Sequence, residues 1–224
     1  MRIFLVIIAL FFILTVGVNS DFILKEALAK EETGTMVSPA IDSYMTFEEA
    51  MRKECPPEIK KKQAIVDVSY YSFDAQIHKG QVVIDKRLVE DIKRVFGIAL
   101  KEKFPIMSVI PISNDRFLKD GKWNDDDLSM LSDNTSAFNY RMITGGKKTL
   151  SNHAYGFAID INPVQNPYIK NGIILPPGAI YDERKPGTLT SESVIVKTFL
   201  SLGWTWGGNW KTLKDYQHFE KILN

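Results

Sequence analysis

Two short stretches, residues 151–160 and 215–220, place the strongest constraint on how this 224-residue chain can fold. Between them they hold two of its three histidines, each a few positions from an aspartate. Two imidazoles and a carboxylate can form the ligand set of a catalytic zinc ion, which keeps its fourth position for water. A second carboxylate beside that water can accept its proton. A chain that uses this chemistry must fold so that the two stretches meet.

The residue types suggest a role for each position. His153 and Asp160 in the first stretch and His218 in the second are the expected zinc ligands, and Asp215 is the expected general base. On a straight strand His153 and Asp160, an odd number of positions apart, would point to opposite faces. Gly156 between them permits a bend or bulge that brings both side chains to one side.

Each of these pairs is a weak indication when it is taken alone. An aspartate near a histidine is common in a chain of this length, and neither pair by itself predicts a metal. The third histidine, His78, lies in a polar stretch and is expected to be a surface residue without a partner. Ser151 can orient a ligand or simply form a turn. The nearby aromatic residues are expected to be core rather than substrate platforms: Tyr155, Phe157, Trp204, Trp206 and Trp210.

The flanking residues make the pattern far more specific. The segments concerned are Ser151-x-His153-x-x-Gly156-x-Ala158-x-Asp160, Trp206-Gly207-Gly208-Asn209-Trp210, Asp215-x-x-His218-Phe219 and Asn134-Thr-Ser-Ala-Phe-Asn-Tyr-Arg141. Together they resemble the zinc peptidases of bacterial cell-wall peptides. That family holds the VanX/VanY-type D-Ala-D-Ala peptidases and the L-alanyl-D-glutamate endopeptidases of phages and bacteria. The resemblance covers roughly residues 64 to 224.

The resemblance implies a role for individual residues. It identifies His153, Asp160 and His218 as the ligands of a Zn²⁺ ion. It makes Asp215 the general base, as in the endopeptidase branch, whereas the VanX/VanY branch has a glutamate there. It places Arg141 beside the zinc, where a guanidinium can hold the substrate carbonyl or stabilise an oxyanion. A surface ion pair is the alternative for Arg141.

The hydrophobic pattern predicts an α+β fold with a small, mostly antiparallel sheet flanked by helices, because strands and helices follow each other without a regular βαβ rhythm. The resemblance implies the fold shared by the DD-peptidases and the Hedgehog signalling domains. Strand-like runs lie at 65–73, 81–84, 105–110, 157–161 and 219–223, and helical patterns at 85–101 and 191–202, the second with Ser191 as its cap. The region 163–190 is expected to be a long loop that forms a wall of the substrate cleft.

The chain is expected to have three parts. Residues 1–20 are predicted to be a signal peptide or an uncleaved N-terminal anchor, which would allow membrane association, since Arg2 precedes an apolar run. Residues 21–63 are a linker or N-terminal extension, and residues 64–224 are the catalytic domain. The protein is therefore expected to be exported, to the periplasm, the cell wall or the medium. The lone Cys55 cannot form an internal disulfide.

The expected function is zinc-dependent hydrolysis of peptide bonds in peptidoglycan stem peptides, with the L-Ala-D-Glu bond favoured. The alternatives are a D-Ala-D-Ala carboxypeptidase of the same family and a non-catalytic, zinc-containing binding domain. A net charge of +1, from 28 basic and 27 acidic residues, gives no electrostatic case for nucleic acid. No motif for an organic cofactor is present, and nothing in the sequence indicates an oligomeric state.

Overall fold

A long β-hairpin and the helix after it organise the first part of the fold. The two strands, Gln63–Tyr71 and Ile77–Asp85, pair antiparallel along their whole length. Alternate side chains of the first strand face the core, as in a sheet with one covered face. The helix Val89–Lys101 packs there through residues spaced three and four apart. The buried side chains of these elements include Val66, Val68, Tyr70, Ile92, Val95, Phe96 and Ala99.

The computed structural model describes residues 38–223, apart from residues 53, 120–121, 124 and 144–148. The strands are β1 (Ala40–Ile41), β2 (Gln63–Tyr71), β3 (Ile77–Asp85), β4 (Ser108–Val109), β5 (Leu118–Lys119), β6 (Lys122–Trp123), β7 (Asn134–Thr135), β8 (Ala158–Asp160), β9 (Tyr168–Lys170), β10 (Ile173–Leu175), β11 (Thr205–Trp206), β12 (Lys214–Asp215) and β13 (His218–Glu220). The helices are α1 (Phe47–Ala50), α2 (Pro57–Lys60), α3 (Val89–Lys101), α4 (Asp125–Leu131) and α5 (Val194–Ser201). Single turns of 3-10 helix lie at Lys86–Leu88, Asp115–Phe117, Asn152–Tyr155 and Gly207–Asn209.

The strands form several small sheets, with the orders β1-β3-β2, β10-β9-β12 and β11-β13-β8 and the pairs β4-β7 and β5-β6. The β1–β3 and β4–β7 pairs are parallel, and the other described pairs are antiparallel. The predicted α+β class with mostly antiparallel pairing is therefore confirmed. The pairing is divided among separate sheets rather than gathered in one, because most strands contain only two or three residues.

Two local predictions need correction. The region 163–190, expected to be a loop, contains the hairpin of β9 and β10, whose strands are too short to show an alternating pattern in the sequence. Helix α5 begins at Val194 rather than after Ser191, with Ser193 as its first flanking residue. The Ser193 hydroxyl accepts a hydrogen bond from the backbone N–H of Thr190, so the turn before the helix is closed there and not at Ser191.

The segment before β2, expected to be a linker or extension, packs on the hairpin. Strand β1 adds to the edge of β3, and helices α1 and α2 contribute Ala50, Met51 and Ile59 to a small apolar cluster with Val83 and Phe138. Residues 39–224 form one compact unit. This unit begins before residue 64 because the short helices bury apolar side chains that a solvated linker would expose.

The predicted leader at residues 1–20, and the extension as far as residue 37, lie outside the described residues. In the part of the chain that the structure describes, no helix has the length and apolar character needed to cross a membrane.

Candidate metal centre

His153 lies on a single turn of 3-10 helix, Asn152–Tyr155, and not on a strand. The Ser151 hydroxyl accepts a hydrogen bond from the backbone N–H of His153 and caps this turn. Ser151 therefore acts through turn formation. Gly156 ends the turn with a φ of 70°, in the left-handed region that favours glycine. The reversal expected at Gly156 is present, although it ends a helical turn rather than bending a strand.

Gly156 also allows this turn to lie close to the long hairpin. A Cβ atom at this position would meet the side chain of Gln63 and the backbone N–H of Asp85. The Asp85 N–H donates a hydrogen bond to the Gly156 carbonyl, at 3.1 Å. The position of His153 is thus fixed against the longest strands of the protein.

Asp160 and His218 are direct neighbours in an antiparallel strand pair. They stand opposite each other where β8 pairs with β13, with 2.9 Å between Asp160 Oδ1 and His218 Nδ1. His153 Nε2 lies 3.2 Å from His218 Nδ1 and 3.2 Å from Asp160 Oδ2. One ligand atom from each of the three residues lies within 4.8 Å of the others. The fold brings together the three ligands expected from the sequence, and we call them the donor cluster.

Each imidazole of the donor cluster has one nitrogen bound to a partner outside the cluster. His153 Nδ1 lies 2.6 Å from the Ala137 carbonyl oxygen, to which it donates. His218 Nε2 lies 3.1 Å from Glu220 Oε2, which also accepts from the Asn152 amide at 2.7 Å. These contacts leave His153 Nε2 and His218 Nδ1 facing the same space. Oriented imidazoles of this kind are typical of metal ligands.

Sequence reasoning missed Glu220. The signal was available, because His218 and Glu220 are two positions apart on β13 and side chains with that spacing share one face of a strand. Asn152 and the Ala137 carbonyl were also missed. A backbone carbonyl carries no residue-type signal, so only the fold reveals it.

Asp215 lies on β12 and borders the same cavity as the donor cluster. Its Oδ1 is buried and has no hydrogen-bond partner among the described residues. Burial, opposed by His218 and assisted by the nearby Asp160, raises the pKa of Asp215 to about 6. A carboxylate with a pKa near neutrality is suited to accept a proton and return it. Its role as the base stays a prediction.

The charges of the donor cluster depend on each other. Burial opposes the ionised form of Asp160, but His153 and His218 outweigh it and hold the pKa of this carboxyl well below its usual range. Burial likewise opposes the charged form of His218. Its hydrogen bonds to Asp160 and Glu220 outweigh that effect and raise the pKa of His218 to about 10. A divalent cation bound to His218 would take the place of a proton that Asp160 and Glu220 attract to this imidazole.

The donor cluster fits a metal ion in its chemistry as well as in its spacing. Two imidazole nitrogens and a carboxylate oxygen suit zinc and leave a coordination position open. Asp215 borders the same cavity, and its buried Oδ1 has no hydrogen-bond partner among the described residues. A closed structural site would normally have four protein ligands.

The donor cluster lies in a cavity of about 380 Å³. The β9–β10 hairpin supplies one side of it through Tyr168, Lys170 and Leu175, so the region 163–190 does form a wall, as expected. In that region Lys170 borders the cavity, whereas Arg184 is exposed and pairs with Asp182.

The aromatic residues divide between core and cavity. Trp204 and Trp206 are buried, and Phe157 packs against the core, as expected. Trp210 is the exception, since it borders the cavity with its ring centroid 5.4 Å from that of His218. Tyr155 was also expected in the core, but 38% of its surface is exposed.

Known proteins match the segment of the chain that contains the donor cluster. A family model described as D-alanyl-D-alanine carboxypeptidase matches residues 144–221. The peptidoglycan L-alanyl-D-glutamate endopeptidase CwlK of Bacillus subtilis (strain 168) is 36% identical over 86 residues, which are 37% of this chain and 46% of that protein. Residues 144–221 are thus similar to the VanY-type peptidoglycan peptidases. The match thus spans about half the length of this curated relative, and no solved structure gives a significant match.

The segment matched to the VanY-type family contains the whole donor cluster and Asp215, but it begins after Arg141. The Arg141 guanidinium borders the cavity, with Nε 3.0 Å from Asp126 Oδ1 and Nη1 donating to the Met142 carbonyl. Arg141 therefore forms an ion pair, which was the alternative expectation, and this ion pair lies in the wall of the cavity, where a role beside the donor cluster is open to it. Its role in catalysis stays a prediction.

The third histidine lies outside the matched segment and is wrongly predicted as a surface residue without a partner. His78 Nδ1 lies 2.8 Å from Asp42 Oδ2, and His78 Nε2 lies 3.0 Å from Asp74 Oδ2. The His78 side chain is 14% exposed. The Tyr70 hydroxyl donates a further hydrogen bond to Asp42. We call His78, Asp42 and Asp74 the His78 cluster.

Proposed function

We propose that the protein is a zinc-dependent peptidase that hydrolyses peptide bonds in peptidoglycan stem peptides, with the L-Ala-D-Glu bond as its first target. The observation that carries the proposal is that the donor cluster and Asp215, whose Oδ1 has no hydrogen-bond partner among the described residues, border one cavity. The match of residues 144–221 to the D-alanyl-D-alanine carboxypeptidase family model supports the peptidase class. The printed activity of the Bacillus relative supports the choice of bond.

The chain supplies the acid–base chemistry of this reaction. A zinc ion held by the donor cluster would polarise the scissile carbonyl and lower the pKa of water. Asp215 then accepts the proton of the attacking water and returns it to the leaving amine. Arg141 presents guanidinium donors from the cavity wall, where they can stabilise negative charge on the carbonyl oxygen. Ala137 and Glu220 hold the two imidazoles in their tautomers throughout.

A D-Ala-D-Ala carboxypeptidase is the second candidate, since the matching family model carries that description. The same residues would perform both reactions, because both break an amide bond and release an amine. A non-catalytic binding domain is disfavoured. It has no use for a carboxylate at Asp215 whose buried Oδ1 lacks a hydrogen-bond partner among the described residues, because the desolvation of that atom is a cost without a return in stability.

The test is digestion of purified peptidoglycan by the full chain loaded with zinc, with and without a chelator, read by mass spectrometry. We expect stem-peptide products whose new termini identify the bond, and a loss of about 100- to 10,000-fold in rate for Asp215→Asn. Asp182→Asn is the matched control, because Asp182 pairs with the exposed Arg184, is not among the residues that line the cavity, and should not change the rate. Zinc binding without cleavage of wall or muropeptides would favour the binding domain.

We also propose that the protein is exported and acts on the cell wall from outside the cytoplasm, with the leader at residues 1–20 as the supporting sequence feature. Fractionation of cells that express the full chain tests this. An N-terminal sequence that begins after residue 20 would indicate cleavage, whereas retention of Met1 in the membrane fraction would indicate an anchor.

A further inference from the structure

We propose that Lys170 binds a carboxylate on the substrate residue whose amine leaves, and so sets the specificity of the site. This inference rests on the proposed function and adds the chemical class of group that the substrate must carry next to the cleaved bond. It concerns the sheet formed by β10, β9 and β12, which joins the strand of Asp215 to the cavity wall.

The register of this sheet places Lys170 close to Asp215. Tyr168 stands opposite Asp215 on β12 and opposite Leu175 on β10, and all three border the cavity. Lys170 follows Tyr168 by two positions on β9, so its side chain shares their face of the sheet. Diagonal neighbours across an antiparallel pair are about 7–8 Å apart. Lys170 and Asp215 are such neighbours, and both border the cavity.

One substrate residue is long enough to reach from the Asp215 carboxylate to the side chain of a diagonal neighbour. In the proposed reaction the leaving amine lies within hydrogen-bond distance of the Asp215 carboxylate. The nitrogen and the carboxylate oxygens of one amino acid are roughly 3 Å apart. With hydrogen bonds of about 2.8 Å at each end, a single residue spans the distance from Asp215 to the flexible ammonium of Lys170. The group expected at Lys170 is therefore the α-carboxylate of the leaving residue.

Charge supports the same assignment. In the part of the chain that the structure describes, the Lys170 ammonium makes no ion pair. Arg141, the other cation at the cavity, is held by Asp126. Neighbouring Lys214 donates to the Gly208 carbonyl at 2.8 Å. A substrate carboxylate would give Lys170 its counter-ion within a cavity that Asp160, Asp215 and Glu220 otherwise make acidic.

Both candidate bonds have a carboxylate on the residue whose amine leaves. Cleavage of L-Ala-D-Glu releases the amine of a glutamate whose α-carboxylate is free when its side chain carries the peptide onward. Cleavage of D-Ala-D-Ala releases an alanine with a terminal carboxylate. In both cases the carboxylate belongs to the residue directly after the cleaved bond. Amidation of that carboxylate removes the charge that Lys170 recognises.

The experiment compares two synthetic stem peptides that differ only in carrying a carboxylate or a carboxamide on the leaving residue. With the zinc-loaded full chain we expect kcat/KM to favour the carboxylate by about three- to tenfold, since a charge-assisted hydrogen bond at an exposed lysine is of this size. Lys170→Gln should bring the ratio close to 1, and Lys170→Arg should retain most of the preference. Lys185→Gln is the matched control, an exposed lysine of the same region, and should keep the ratio of the wild type.

Binding of the same two peptides to the zinc-loaded Asp215→Asn protein, measured by calorimetry, separates this inference from the proposed function. Wild-type protein that cleaves neither peptide contradicts the proposed function, while weaker binding of the carboxamide, abolished by Lys170→Gln, still supports the role of Lys170. An unchanged carboxylate preference in Lys170→Gln, in rate and in binding, would overturn it.

Discussion

The donor cluster and the His78 cluster are built from the same residue types, yet the fold uses them in opposite ways. In the donor cluster each imidazole gives one nitrogen to a partner outside the cluster, Ala137 or Glu220, and keeps the other for the centre. In the His78 cluster both nitrogens of a single ring are taken by carboxylates, at 2.8 Å and 3.0 Å. The first arrangement brings nitrogen atoms of two imidazoles and a carboxylate oxygen to one point, whereas the second places a single imidazole between two carboxylates.

Convergence of three ligand atoms, and not the presence of histidine beside aspartate, distinguishes the candidate metal site from the His78 cluster. Among the residues that the structure describes, the donor cluster is the one group of three potential ligands whose atoms lie within 4.8 Å of one another. The His78 cluster instead joins three segments of chain, since Asp42 follows β1, Asp74 lies in the turn of the long hairpin and His78 is on β3. It is built to hold those segments together.

Zinc affinity should respond most strongly when the same substitution, Asp to Asn, is made in each of the two clusters. Asp160→Asn removes the anionic ligand of the donor cluster with little change of shape, and we expect zinc affinity to fall by more than about 100-fold, since loss of an outer partner alone costs 10- to 100-fold. Asp42→Asn in the His78 cluster should leave the affinity unchanged. Titration of the metal-free proteins with zinc, followed by calorimetry, provides the comparison.

Equal zinc affinity in Asp160→Asn and the wild type would show that the two clusters do not differ in the way described. Circular dichroism of the metal-free variants guards against a trivial result, because loss of zinc through unfolding would be visible there. A loss of zinc in Asp42→Asn with an intact fold would equally contradict the comparison.

A smaller effect is expected at Glu220, which orients His218 without contacting the centre. Glu220→Ala removes the acceptor of the His218 Nε2–H and of the Asn152 amide, so we expect zinc affinity to fall by about 10- to 100-fold. Glu220→Gln keeps one acceptor oxygen and should lose less. Competition with a chelator of known affinity measures both. A Glu220→Ala protein that binds zinc as tightly as the wild type would show that His218 needs no outer partner.

The sequence predicted which residues meet at the donor cluster, but it did not predict what holds them. His153, Asp160 and His218 were identifiable from residue type and flanking motifs, which constrain chemistry directly. The outer partners follow from the backbone. The Ala137 carbonyl is available to any residue type, and Glu220 became significant only once His218 was known to lie on a strand.

The His78 cluster was missed for a related reason. Asp42 reaches His78 because β1 pairs parallel with β3, with Ala40 opposite His78, and a two-residue strand has no pattern that predicts its partner. The long elements were predictable, because β2 and α3 carry the period-2 and period-3.6 patterns over enough residues to be distinguished. The two- and three-residue strands around the cavity were not, since tertiary pairing and not local propensity determines them.

The pH dependence of stability should change least, and it tests the His78 cluster rather than the donor cluster. Burial alone would lower the pKa of His78, but its hydrogen bonds to Asp74 and Asp42 outweigh it and raise the pKa above its ordinary value of 6.5. The charged His78 cluster therefore stabilises the fold fully below the ordinary pKa, and this contribution is lost as the pH rises through the raised value. His78→Gln keeps hydrogen-bonding groups but removes the charge. We expect it to lower the free energy of unfolding by about 0.5–1 kcal/mol more at about pH 6 than at about pH 9, a range suited to a partly exposed pair.

Denaturant unfolding of the wild type and the variant at both pH values measures this, and taking the difference between the two proteins cancels the titration of the donor cluster. A difference that is the same at both pH values would mean that the cation at His78 contributes nothing, and that this cluster holds its three segments by neutral hydrogen bonds alone.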